Sequence, residues 1–240
     1  MKLNLCISLV CAIGMMIACS YMCGAQDQDN RSEEREMLYN NLKNTFPRVS
    51  SKLLSPFRDI PRHRFVKGNI KTLAYQDMDL PAGTNTIIPA PSLVLEIINT
   101  LELGKKHSVL IIGRGTGYMG SVMSEIAESV TLVELDSTYF GTLISVLDSL
   151  DLENLELFGD LNQLPRQAQA GPRRFDCIVI HAGIRNLPVR VTSMLGEEGR
   201  LIVPITGESG FQTLLHLRTG GGLEIESVRE SFFPLVEGLY

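Results

Sequence analysis

A doubly wound α/β fold with a mostly parallel sheet follows from one unit of the chain, Val109 to Asp136, and from the strand–helix alternation after it. Val109-Leu110-Ile111-Ile112 is short, apolar and β-branched, the form of a strand buried on both faces of a parallel sheet. Gly113-Arg114-Gly115-Thr116-Gly117 turns the chain directly behind it, and Met119, Val122, Met123 and Ile126 then recur at helical spacing. Val130 to Leu135 is the next strand, with Glu134 near its end. Strand, glycine turn, helix, strand and acid, in that order, make a nucleotide-cofactor site. The length of 240 residues, with 44% hydrophobic and 20% charged residues, suits one globular domain.

Composition excludes several partners. A net charge of −5 gives no general attraction to nucleic acid or to an anionic membrane. Trp is absent and aromatics are sparse, which argues against a base-stacking platform. Residues 1–25 read as a leader: Lys2 is a minimal positive region and Leu3 to Ala18 is mostly apolar. Export to the periplasm or envelope is the expectation. Two exits stay open, cleavage after Cys23-Gly24-Ala25 or a lipobox, Met16-Ile17-Ala18-Cys19, that would leave Cys19 acylated as the one membrane attachment. Four of the five Cys lie in this leader and the four His are scattered, so neither a disulfide framework nor a metal site is expected.

Residues 26–240 are expected to form a single domain, with a helical segment and substrate loop over 37–103 and a cofactor-binding core over 104–240. Met37, Leu38, Leu42 and Phe46 predict a helix with a partial apolar face, ended by Pro47. Leu53 to Val66 reads as a short helix and an irregular segment. Leu73 to Pro91, rich in Pro, Gly, Asn and Thr, reads mostly as loop, and a loop that long is a functional candidate. Ser92 to Leu103 predicts a helix with Ser92 as N-cap. The core continues with a helix over Tyr139–Leu150, strands over Leu155–Phe158 and Phe175–Ile180, and a helix over Val189–Leu195. Gly199 then closes a turn into the strand Arg200–Pro204, and strands over Gln212–Arg218 and Leu223–Arg229 flank Gly220-Gly221-Gly222.

The strand ends hold Gly113, Glu134, Asp160 and His181, and ligands of open α/β sheets bind along that edge. Gly113, Gly115 and Gly117 let backbone approach a ligand closely. Glu134 is placed to accept from a ribose diol and Asp160 from an adenine amino group. Pattern alone divides between a nicotinamide or flavin cofactor and S-adenosylmethionine, because Gly115-x-Gly117-x-x-Gly120 also fits the dinucleotide fingerprint.

Four stretches decide between them. Arg64-Phe65-Val66 precedes Ala74-Tyr75-Gln76-Asp77 and Leu80-Pro81-Ala82-Gly83. Val109 to Tyr118 is similar to VLEIGTGSGY. Phe175 to Gly183, with Leu187-Pro188 after it, is similar to FDAIIVTAA followed by IP. Gly199 to Ile205, with Phe232-Phe233-Pro234-Leu235 near the end, is similar to GGRLVIPVG and RFVPL. In order and spacing, from about Phe57 to Gly238, the chain resembles the protein-L-isoaspartate O-methyltransferases. The resemblance implies a Rossmann-like S-adenosylmethionine-dependent methyltransferase fold, a mostly parallel seven-stranded sheet with helices on both faces. It implies methyl transfer to the carboxylate of isoaspartyl residues in damaged proteins and peptides, with S-adenosyl-L-methionine held by Gly113, Gly115, Gly117, Glu134 and Asp160.

Three positions depart from the family pattern. Pro89 stands where the family's QTISQP-like loop has its active-site Ser, and proline offers neither a hydroxyl nor an N–H. Ile111 replaces the acid that orients the cofactor's amino-acid end. His181 replaces a Thr and is a candidate donor near the methyl-transfer point. These departures make a pseudoenzyme, or a methyltransferase with another acceptor, the alternatives to isoaspartyl repair.

Overall fold

The structure, a computed structural model, describes residues 31–83, 85–164, 173–220, 224–231 and 233. The leader with Cys19 lies outside the described residues, as do Thr84, Gly221, Gly222 and most of the Phe232–Leu235 stretch. Among the described residues no helix is long and apolar enough to cross a membrane.

The chain begins with α1 (Ser32–Thr45) and α2 (Ser51–Asp59). Leu38 and Leu42 bury one face of α1, whereas Met37 is exposed, so the apolar stripe is narrower than the spacing predicts. A 3-10 turn, Arg62–Phe65, follows. Phe65 is fully buried, meets Tyr118 edge-on at 5.8 Å and accepts a hydrogen bond from Tyr139 Oη through its carbonyl. That contact roots the N-terminal segment in the core.

The expected long loop contains a two-stranded antiparallel ribbon, β1 (Leu80–Gly83) with β2 (Thr86–Ile88), paired Leu80 to Ile88. Asn85 turns the ribbon at φ 65, a left-handed conformation that Asn tolerates. α3 runs from Pro91 to Thr100, and Ser92 lies inside it rather than capping it. Two aspartates of the preceding loop cap it instead: Asp79 accepts from Ala90 N at 2.7 Å and Asp77 from Ser92 N at 2.8 Å. Proline at the first helical position needs no partner for an N–H it lacks.

The core is β3 (Ser108–Gly113), α4 (Gly117–Ser124), β4 (Ser129–Glu134), α5 (Ser137–Asp148), β5 (Leu155–Phe158), β6 (Phe175–His181), α6 (Val189–Thr192), β7 (Leu195–Thr206), β8 (Gln212–Arg218) and β9 (Glu224–Ser231). The seven-stranded sheet has the order β5-β4-β3-β6-β7-β8-β9. β5, β4, β3, β6 and β7 are parallel, and β8 and β9 close the sheet antiparallel. This is the Rossmann-like, mostly parallel sheet the sequence predicts. α6 stops short of the predicted end at Leu195. β7 starts early, at Leu195 opposite Phe175, and shifts register before Arg200.

Period-two alternation sends residues of each central strand to opposite faces. Val109, Ile111, Val130, Leu132, Cys177 and Val179 pack one core with α1 to α5. Leu110, Ile112, Val133, Ile178 and Ile180 pack the other with Val191 and Met194. Each fully buried Val or Ile side chain contributes about 1.5–3 kcal/mol of transfer free energy. The described helical cover is uneven: five helices lie on the first face, against α6 and a 3-10 turn at Leu161–Gln163 on the second.

Candidate active site

Sheet register builds the site. Gly113 ends β3 level with Glu134 on β4 and His181 on β6, so glycine, carboxylate and imidazole sit side by side at one edge. A Cβ at Gly113 would overlap the His181 carbonyl, and one at Gly115 would overlap the Ile87 carbonyl. Ribbon strand β2 therefore lies directly on the glycine turn, which joins the ribbon to the carboxyl edge of the sheet. Gly115 also has φ +80, where an L side chain is strained. Gly115→Ala is expected to destabilise the fold by about 1–3 kcal/mol and to push β2 off the turn. Urea unfolding of the variant checks this, and an unchanged midpoint would disprove the close contact.

Glu134 is buried, with 1% of its surface exposed. Its Oε2 accepts from Gly115 N at 2.9 Å, Thr116 N at 3.0 Å and Thr116 Oγ1 at 3.0 Å. Its Oε1 accepts from Asp136 N at 3.0 Å. Burial pushes the Glu134 carboxyl above the usual range, against the pull of the bonds from Thr116, Asp136 and Gly115. The acid thus holds the glycine turn closed from inside the protein. Oε1 has a single donor and keeps acceptor capacity for a second.

Asp136, which sequence reasoning left without a role, joins the same edge to the β1–β2 ribbon. Thr86 Oγ1 donates to Asp136 Oδ2, while Oδ1 caps α5 through Thr138 N at 2.9 Å and Tyr139 N at 3.3 Å. Burial works against ionisation, yet the hydrogen bonds from Thr138 and Thr86 hold the Asp136 carboxyl below its ordinary range. Its signal was present: an Asp one residue before Ser-Thr-Tyr at a helix start is an N-cap. The bond to Thr86, fifty residues away, has no local sequence signal.

His181 is enclosed. It is 1% exposed, and Phe233 stands edge-on over it at 5.1 Å between ring centroids. Gln212 pins Phe233 by accepting from its N at 2.6 Å and donating to its O at 2.8 Å. His181 Nδ1 lies 2.7 Å from the Arg114 carbonyl. A carbonyl only accepts, so Nδ1 carries the proton and Nε2 is a bare acceptor. Burial lowers the imidazole to about 4, opposed by that hydrogen bond. A neutral ring with this tautomer has no second N–H to donate, which removes the donor role expected from sequence.

The remaining candidates separate. Asp160 is exposed and caps a 3-10 turn through Asn162 N at 2.7 Å. Gly117 starts α4, where a Cβ would meet Leu143. Ile111 is fully buried in the first core, so an acid there would face apolar neighbours. Pro89 is buried, and its carbonyl points at the Arg62 guanidinium, 3.0 Å away. Among the described residues no group of His, Cys, Asp and Glu is placed to hold a metal ion.

Comparison with known proteins agrees with this architecture. The family model of the protein-L-isoaspartate(D-aspartate) O-methyltransferases matches residues 32–239. The protein-L-isoaspartate O-methyltransferase of Pelotomaculum thermopropionicum is 32% identical over 216 residues, 88% of this chain and 92% of its own. That of Parvibaculum lavamentivorans is 31% identical over 194 residues, covering 78% of this chain and 85% of its own. A solved protein-L-isoaspartate O-methyltransferase superposes with a TM-score of 0.76 at 27% identity, over 85% of this chain and 66% of that one. This chain thus spans about two thirds of that structure's length. A Plasmodium falciparum structure described as a complex with S-adenosyl-L-homocysteine shares the fold at a TM-score of 0.70 and 19% identity, over 85% and 98% of the two chains. With a family model matched from the first helix nearly to the last residue, the chain belongs to the protein-L-isoaspartate(D-aspartate) O-methyltransferase family.

Proposed function

We propose that this protein transfers the methyl group of S-adenosyl-L-methionine to the free carboxylate of isoaspartyl residues in damaged proteins and peptides. The observation that carries the reading is the junction of Gly113, Glu134 and the β1–β2 ribbon at the carboxyl edge of a family-matched sheet. The residues fit the cofactor. Glu134 Oε1 has acceptor capacity for a ribose hydroxyl, and Asp160 offers an exposed carboxylate for the adenine amino group. S-adenosylmethionine supplies an activated methyl on a sulfonium. The substrate carboxylate is already an anionic nucleophile, so a C–O bond forms as the C–S bond breaks and no general base is needed. A neutral, buried His181 is compatible with that chemistry. The chain's own work is alignment and exclusion of water. Labelled S-adenosylmethionine with an isoaspartyl peptide and the full chain tests the reading, and cofactor binding without transfer overturns it.

Pro89 favours a second reading, a changed acceptor. The buried ring offers no donor where the resemblance places the serine that holds the substrate carboxyl. Pro89→Ser is expected to raise isoaspartyl methylation about tenfold, the worth of one hydrogen bond to a charged group. If the variant gains nothing while a panel of other carboxyl peptides is methylated, the acceptor has changed. Export is the companion proposal, resting on Lys2, the apolar run and Cys19. Fractionation of cells expressing the full chain checks it, and recovery in the cytosol alone overturns it.

A further inference from the structure

We infer that Arg62 is a positioning residue that sets the geometry of the substrate loop. Its guanidinium is fully buried and gathers backbone carbonyls from two separate segments. Nη1 donates to Ala74 O at 2.8 Å and Gln76 O at 3.2 Å. Nη2 donates to Met78 O at 2.8 Å, Pro89 O at 3.0 Å and, more weakly, Ile88 O at 3.4 Å. The first three carbonyls belong to the stretch entering the ribbon, the last two to the stretch leaving it. One cation therefore closes the mouth of the loop.

The base of this clamp is packed into the core. Arg62 opens a 3-10 turn whose neighbours His63 and Phe65 are buried, and its guanidinium carbon stands 5.3 Å from the Tyr118 ring centroid. Burial lowers the guanidinium pKa, opposed by the fields of Tyr118, Asp79 and Asp77, and the group stays charged. Those two aspartates are the ones that cap α3 at Ala90 and Ser92. Residues 74–92 are thus held by a buried cation on the carbonyl side and by two carboxylates on the amide side. A core arginine kept only for stability needs none of this convergence on one loop. Here the acceptors include the carbonyl of Pro89, the residue that occupies the substrate-holding position. The same bond turns the only polar backbone group of Pro89 inward, toward Arg62.

A lysine carries the charge but not the five-donor fork, so it can serve only some of these carbonyls. Amide hydrogen exchange and steady-state kinetics on the full chain with Arg62→Lys and Arg62→Met test the inference. Arg62→Lys is expected to fold, to exchange at least tenfold faster within residues 74–92 and to exchange normally in β3, β4 and β6. Its kcat/KM for an isoaspartyl peptide is expected to fall on the order of a hundredfold, as for a misplaced binding group, mainly through KM. Arg62→Met is expected to extend the exchange change in the same segment or, if it does not fold, to leave the lysine variant decisive. Wild-type exchange within 74–92 in Arg62→Lys overturns the inference, and so does acceleration spread evenly over the sheet, the sign of a purely structural role. The kinetic arm rests on the methyltransferase reading; the exchange arm does not. An inactive wild-type protein with a loop-confined exchange change in the variant would reject the activity and keep Arg62's role.

Discussion

Glu134→Ala is expected to lower unfolding free energy by about 3–5 kcal/mol, because three backbone amides, those of Gly115, Thr116 and Asp136, lose their buried acceptor together. For a chain of this size that is a fall of roughly 6–20 °C in Tm. Glu134→Gln keeps the shape. If its carbonyl serves Gly115 and Thr116, its amide faces the Asp136 N–H donor to donor, so about 1–3 kcal/mol is expected. Both losses are read on the ligand-free protein by calorimetry. The binding role is separate: Glu134→Gln is expected to weaken S-adenosylhomocysteine about tenfold, the value of one hydrogen bond to Oε1. An unchanged Tm in Glu134→Ala refutes the turn-holding role. An unchanged affinity in a folded Glu134→Gln refutes the ribose role and leaves the first intact.

This double duty marks where sequence reasoning reached and where it stopped. The strand, glycine turn and second strand were legible because each depends on neighbours: apolar runs for buried parallel strands, glycines for the turn, a fixed strand end for the acid. Register then brought Gly113, Glu134 and His181 together without any further signal. What the sequence hid was long-range. Arg62 reads as one arginine in a basic, proline-flanked stretch, and only the fold brings the Ala74–Met78 and Ile88–Pro89 carbonyls to it. Ser92 carried the N-cap signal, but the helix starts one residue before it, and Asp77 and Asp79 approach from the loop to accept from Ser92 N and Ala90 N. The ribbon was missed although Asn85 is a turn residue, because its strands are four and three residues long and the first carries Pro81.

Lowering pH from 7 to 4 is expected to remove about 3 kcal/mol of stability through His181 alone. Its folded value of about 4 lies below the ordinary 6.5, so between the two the unfolded chain binds the proton and the folded chain does not. Stability is then complete above the unfolded value, falls as pH drops through the window, and has been lost once pH passes below about 4. The buried His216, also lowered by burial first, acts in the same direction, so the test is a difference. His181→Asn places an amide N–H where Nδ1 donates to the Arg114 carbonyl and removes the titration. Urea unfolding from pH 7 to 4 is expected to show a total loss about 3 kcal/mol smaller in this variant, and parallel curves would refute the assignment. The same protonation state bears on catalysis. With Nδ1 donating to a carbonyl and the ring neutral at pH 7, Nε2 accepts and does not donate, so methyl transfer to a carboxylate gains nothing from it. The kcat profile between pH 6 and 8 is accordingly expected to be flat with respect to His181, and to stay flat in His181→Asn. A rise of kcat toward pH 6 that disappears in the variant would put a protonated imidazole back at the reacting carboxylate, against the burial and tautomer that Phe233 and Arg114 impose.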